Sequence, residues 1–104
     1  MDIDFKFIGW VNETEPNGSK HDKVWTAFRI GNDYYAAWGA RGKKLNFKHY
    51  GAGFLAGSEQ SSVMRQKKKK YKVVDNFLLF TVFPTFQEDV EKHLVFATLA
   101  NKVK

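Results

Sequence analysis

Apolar and polar positions alternate over 5–11, where Phe5, Phe7 and Val11 stand out of phase with Lys6 and Ile8, and this period of two predicts a first strand. Residues 12–23 break the pattern with Asn, Glu, Gly, Ser, Lys and one Pro, and read as a surface loop. Alternation resumes with Val24, Thr26, Phe28 and Ile30 against Trp25, Ala27 and Arg29. Gly31-Asn32-Asp33 then forms a turn cluster, and 34–38 follows as an aromatic strand, so 24–38 predicts a β-hairpin. Gly39 and Gly42 bracket a further turn. Leu45, Phe47 and His49 against Asn46, Lys48 and Tyr50 predict a third antiparallel strand after it.

The second half changes period. Residues 51–57 carry three glycines and read as a flexible connection into a helix over about 58–70. Ser58 is the candidate N-cap of that helix, with Glu59 in the first turn where the helix dipole favours an anion. Its apolar face is thin, Val63 and Met64 with Tyr71 beyond, while Arg65 and the lysines 67–70 cover the remainder. The apolar run 77–83 reads as one more strand, ended by Pro84. Thr85 and Glu88 have the spacing of a capping box, which opens a C-terminal helix to about residue 101. Phe86, Val90, Leu94 and Ala97 form one stripe of it, and Phe96, Leu99 and Val103 an adjacent one. Either both stripes are buried in the monomer, or the outer one meets a second copy in a homodimer. The predicted fold class is α+β: an antiparallel sheet of about four to five strands, a basic helix packed on it, and a C-terminal amphipathic helix.

At 104 residues the chain suits one domain, 1–104, and its ten Phe, three Trp and four Tyr supply a core without staples. No cysteine is present, which excludes disulfides and thiolate metal sites. The start shows no basic region leading into an apolar one, and no apolar run approaches the ~20 residues of a membrane span, so a cytoplasmic protein without membrane attachment is expected. The two Asn-x-Thr/Ser matches, at Asn12 and Asn17, read as loop residues on that basis.

The charge distribution carries more than its total of +6. Between Arg41 and Lys72 ten basic residues face one acid, Glu59, whereas the rest of the chain holds seven basic and ten acidic residues. That asymmetry points to an anionic partner, or else to a solvated basic helix face. Catalytic groups are sparse. His21, His49 and His93 lack metal-ligand spacing, His93 reads as a surface partner for the acids 88–91, and those acids match the helix dipole. Neither a nucleophile motif nor a phosphate-loop lysine occurs, and the glycines of 51–57 lack dinucleotide spacing. No enzyme activity, cofactor or metal is expected.

The segment from Tyr34 through Trp38-Gly39-Ala40-Arg41-Gly42-Lys43-Lys44 to Lys48 resembles the WGR domain, known from poly(ADP-ribose) polymerases and small bacterial proteins. Val11-Asn12-Glu13-Thr14, the opening Lys23-Val24-Trp25 and the closing Lys70-Tyr71-Lys72-Val73-Val74-Asp75 look like the family as well. The resemblance covers about 8–75 and leaves 76–104 as a C-terminal strand–helix extension. Here one residue separates Gly39 from Arg41; in an extended strand this moves the arginine to the other face, and a turn at Gly39 restores it. The resemblance implies contact with nucleic acid, DNA before RNA, at the backbone and at strand ends; the size of the chain, with no catalytic partner domain in it, suits a bacterial or phage setting. The residues expected to carry it are Trp38, Arg41, Lys43, Lys44 and Lys48, with Arg65, Lys67 and Lys68 from the basic helix. Trp38 also reads as a core aromatic at a strand end. A protein-interaction module, an inhibitor or adaptor that holds an acidic protein through the same basic face, is the alternative.

Overall fold

A computed structural model describes the backbone of residues 2–103 and the side chains of residues 2–94. The described elements are β1 (Asp4–Thr14), β2 (Lys20–Ile30), β3 (Asp33–Ala40), β4 (Asn46–Ala52), α1 (Phe54–Lys68), β5 (Lys72–Val73), α2 (Asn76–Val82) and α3 (Phe86–Val103). The strands form one antiparallel sheet in the order β4-β3-β2-β1-β5. The fold is therefore α+β, with a C-terminal helix, as the hydrophobic pattern predicts.

The sheet is covered on both faces. In β2, Val24 and Phe28 join one cluster with Leu79 and Val82 of α2 and Phe86 and Val90 of α3. Trp25 and Ala27, of opposite parity, join Phe7, Val11 and Tyr71, against which Val63 and Met64 of α1 pack. Two helical layers thus sandwich the sheet, and burial of alternate strand residues on both sides drives its assembly. A register shift between Phe5 and Phe7 adds one residue to β1. That bulge explains why these two phenylalanines, of the same parity, pack in different clusters.

The β2–β3 hairpin closes through the two residues between Ile30 and Asp33, with Gly31 at φ 59°. A II′ turn needs such a positive φ at its first central position, and glycine supplies it without a Cβ clash. The sheet makes its closest approach to the return of the chain at Gly9, where an added Cβ would sit 2.6 Å from the Cβ of Tyr71. A side chain at this position would collide with the Tyr71 Cβ and with the Phe7 ring, so the approach requires glycine.

Several elements differ from the sequence reading. The loop expected over 12–23 is mostly strand: β1 runs to Thr14, β2 begins at Lys20, and the two stay paired to that end. The basic helix begins at Phe54, not at Ser58, with Gly53 as its cap residue, so Glu59 lies in the second turn. Ala56 and Gln60, the two buried residues of α1, sit four apart and turn this early part of the helix onto the sheet. Gln60 donates from Nε2 to the carbonyl oxygens of Phe28 at 3.0 Å and Tyr35 at 2.8 Å, a satisfied buried polar anchor.

The segment 77–83 is helix α2, not a strand. Asp75 caps it by accepting from the Leu78 backbone N–H at 3.2 Å. Leu79 and Val82, three apart on one face of α2, are buried in the core, where Phe83 at its C-cap and Phe86 at the start of α3 join them. The chain that extends the sheet is instead β5, which pairs Gly9 with Val73 and Trp10 with Lys72. The capping box expected at Thr85 takes another form: the Thr85 hydroxyl donates to the Asp89 carboxylate at 3.1 Å. In the C-terminal helix, the outer stripe Phe96, Leu99 and Val103, together with Ala97, lies outside the described side chains. No helix among the described residues is long and apolar enough to cross a membrane.

Candidate nucleic-acid interface

The hairpin register places Trp38 of β3 directly opposite Trp25 of β2, and Asn46 of β4 on its other side. Trp25 is nearly buried, at 3% exposure, so it forms a floor, whereas Trp38 is half-buried and presents part of its ring. Tyr50 from β4 and Tyr71, after α1, complete an aromatic lining. The cleft they enclose has a volume of about 530 Å³, inside the range of roughly 300–1,000 Å³ typical of ligand pockets.

Three lysines from three different elements converge on it. Lys48 Nζ sits 5.2 Å from the Tyr50 ring centre, Lys67 Nζ 5.8 Å from Trp25 and 5.9 Å from Tyr71, and Lys23 Nζ 6.0 Å from Tyr71. Cations over aromatic faces gain from the ring quadrupole, and the alkyl stems cover apolar surface while the ammonium groups reach the opening. No acidic residue lines the cleft; the one carboxylate at its rim, Glu59, stands 3.8 Å from Lys48. Burial, then the adjacent ammonium groups of Lys70 and Lys67, hold Lys23 below its ordinary pKa of 10.5. The cleft is a site of net positive charge with aromatic walls, and an anion entering it relieves the repulsion around Lys23.

The residues singled out in the sequence divide between two sides of the sheet. Trp38, Lys48 and Lys67 meet in this cleft. Lys68 lies on the same helical side, 5.8 Å above the Phe7 ring, and Arg65 is exposed, with its Nη2 donating to Ser62 Oγ at 3.3 Å. Arg41 is elsewhere. No turn occurs at Gly39, because β3 continues in register to Ala40. The strand therefore carries Arg41 to the opposite face, where its Nε donates to Asp22 Oδ2 at 2.7 Å. Asp22 Oδ1 accepts from Trp10 Nε1 at 2.8 Å, and Trp10 packs against the α2–α3 cluster. Burial raises the Asp22 pKa, but the hydrogen bonds from Arg41 and then Trp10 outweigh it and hold the carboxyl below its ordinary value. Lys43 and Lys44, in the β3–β4 turn, line a second cavity on that same opposite face.

No protein-family model, curated protein or solved structure matches this chain.

Lys23, Trp25, Tyr50 and Tyr71 are the cleft residues that the sequence reading missed. A signal for them exists. A two-residue turn at Gly31-Asn32 sets the pairing so that Trp25 must face Trp38, and Lys23, two positions away, shares that face.

The histidines do not form a site. His21 pairs with Glu15 and His49 with Asp33, each at 2.9 Å. His93, expected to meet the acids of its own helix, instead stacks on Phe47 of β4 with ring centres 4.8 Å apart. Burial, then the nearby His49, lowers its pKa from the ordinary 6.5. The folded state therefore favours neutral His93, and the unfolded chain takes up the proton first as pH falls below 6.5. Stability is expected to decline over that window and to level off below the folded pKa. Urea melts of the parent and of His93→Gln at stepped pH check this: the decline just below 6.5 should be smaller in the variant.

Proposed function

We propose that this protein binds nucleic acid, DNA in the first place, in the cleft formed by Trp38, Lys48, Lys67 and Lys23. The observation that carries the proposal is the meeting of stacking surface with three converging lysines, of which Lys48 is paired with Glu59 at the rim, and no lining acid, the combination that single-stranded nucleic-acid sites share. The WGR resemblance of 38–48 points to the same ligand class.

The geometry also favours one form of ligand. Trp38 lies in a slot between β4 and the end of α1. A base inside a duplex is stacked on both sides and presents no face to such a slot. An unpaired or terminal nucleotide does, with its flanking phosphates on the lysines. Contacts of this kind grip the backbone and discriminate little among bases. The sugar–phosphate path runs along the α1 side, away from Arg41.

Fluorescence anisotropy with labelled single-stranded, nicked and hairpin-capped duplex oligonucleotides at low salt tests the proposal. Binding is expected in the order single-stranded or nicked above capped duplex. Trp38→Ala should weaken it by about 1–3 kcal/mol, the range for one base–aromatic stack, with no change in salt dependence. Absence of binding to every DNA and RNA form at low salt refutes the function.

A further inference from the structure

A cavity of about 660 Å³ lies on the face of the sheet opposite the nucleic-acid cleft, between the β3–β4 turn and the junction of α2 with α3. Leu45, Val82 and Phe83 form a buried apolar base. Phe47 and His93, stacked within 18° of parallel, form one side. Phe83 is held in place by the closeness of β3: a Cβ added at Gly39 would lie 3.3 Å from its ring and 3.2 Å from the Lys44 carbonyl oxygen. The hollow is thus preformed, in the manner of small-molecule sites.

Its rim is cationic. Lys43, Lys44 and Lys92 border it, and no ion pair joins any of the three to a carboxylate among the described residues. The single bordering acid, Asp89, already accepts from the Thr85 hydroxyl. An apolar base under unpaired lysines suits neither a neutral hydrocarbon, which gains nothing from the rim, nor a simple inorganic anion, which leaves the base empty. The aromatic side formed by Phe47 and His93 suits a planar ring.

We propose that this cavity is a second binding site, specific for a small aromatic carboxylate, with the ring over Leu45 and Phe83 and the carboxylate between the lysines. It is separated from the cleft by the full thickness of the sheet and does not depend on nucleic-acid binding. Isothermal titration of the whole chain with 2-naphthoate, neutral 2-naphthamide and acetate tests it. Naphthoate should bind one to one, naphthamide about tenfold more weakly for want of charge-assisted hydrogen bonds, and acetate not measurably. Lys43→Ala with Lys44→Ala should weaken naphthoate about tenfold and leave naphthamide unchanged. Lys23→Ala with Lys67→Ala should leave naphthoate binding intact. These lysines lie at the cavity rim or the cleft opening, outside the buried core, and a melting curve of each variant is the check on its fold. The proposal is overturned by absence of saturable naphthoate binding, by equal affinity for naphthamide, or by loss of binding in the Lys23/Lys67 variant.

Discussion

Replacing Lys23, Lys48 and Lys67 together by glutamine is expected to flatten the plot of log K against log salt by about 2 to 3 for DNA, since each neutralised phosphate releases about 0.7–0.9 of a counterion. The three side chains arise from β2, β4 and α1 and converge only in the folded protein, so their joint effect reports on the cleft and not on net charge. A matched variant that removes Lys43, Lys44 and Arg65 deletes the same charge. It should lower affinity through the general field but change the slope much less. Removing Lys23 and Lys67 relieves the repulsion that, after burial, holds Lys23 below its ordinary pKa, while the Lys48–Glu59 pair and the cation–ring contacts are lost. Melting curves of the triple variant beside the parent therefore separate a loss of contact from a loss of fold. If both variants flatten the slope alike, phosphates contact the basic surface at large and the cleft has no special role.

Phe86→Ala should cost about 3–5 kcal/mol of stability, the range for deleting a fully buried aromatic side chain. Phe86 is 0% exposed and sits where three other rings converge: Phe28 of β2 at 5.7 Å, Phe5 of β1 at 5.9 Å and Phe80 of α2 at 6.1 Å between centres. No neighbouring side chain can fill the space without leaving its own contacts, so the cavity term is near its maximum. Small domains have only about 5–15 kcal/mol in total, so the variant loses a large share. Urea unfolding should show a lower midpoint with an unchanged m value. The residues after 75 were read from the sequence as an extension, yet Leu79, Val82, Phe83, Phe86 and Val90 close one face of the sheet. A loss below about 1 kcal/mol, the size of a surface substitution's effect, would mean that the sheet stands without them.

What could be read from the sequence depended on how local the signal was. The β2–β3 hairpin, with its alternation and its Gly-Asn turn, is a contiguous pattern and emerges as expected. The 77–83 run is apolar at almost every position, and such a run is compatible with strand or helix by periodicity alone. The deciding features were Asp75 as a cap and the three-residue spacing of Leu79 and Val82, the two buried residues of α2, which a helix brings onto one side and a strand does not. Gly57 hid the true start of α1. It reads as a linker glycine, but it lies within the helix because Tyr34 packs so closely that an added Cβ would be 2.9 Å from its ring.

The candidate site was legible in its residue types and not in its geometry. Lys48, Lys67 and Trp38 are recognisable as cations and an aromatic in a basic stretch, but their meeting depends on the register of three strands and on the rotation of α1. Arg41 illustrates the limit. One residue of displacement after Gly39 is invisible to composition, yet in a strand that runs straight to Ala40 it exchanges one face of the sheet for the other. The conspicuous lysines divide likewise. Of 67–70, only Lys67 lines the cleft, and Lys70 acts on it through its charge on Lys23.

The three tryptophans report on the two faces separately, because Trp10 is bonded to Asp22 on the Arg41 side while Trp25 and Trp38 border the cleft. Following their indole N–H resonances in a ¹H–¹⁵N spectrum during titration with a short single-stranded oligonucleotide locates the contact directly. The expected result is a large, saturating shift at Trp38, a smaller one at Trp25, and a stationary Trp10. A moving Trp10 beside a stationary Trp38 would place nucleic acid on the Arg41 face and contradict the assignment of the cleft.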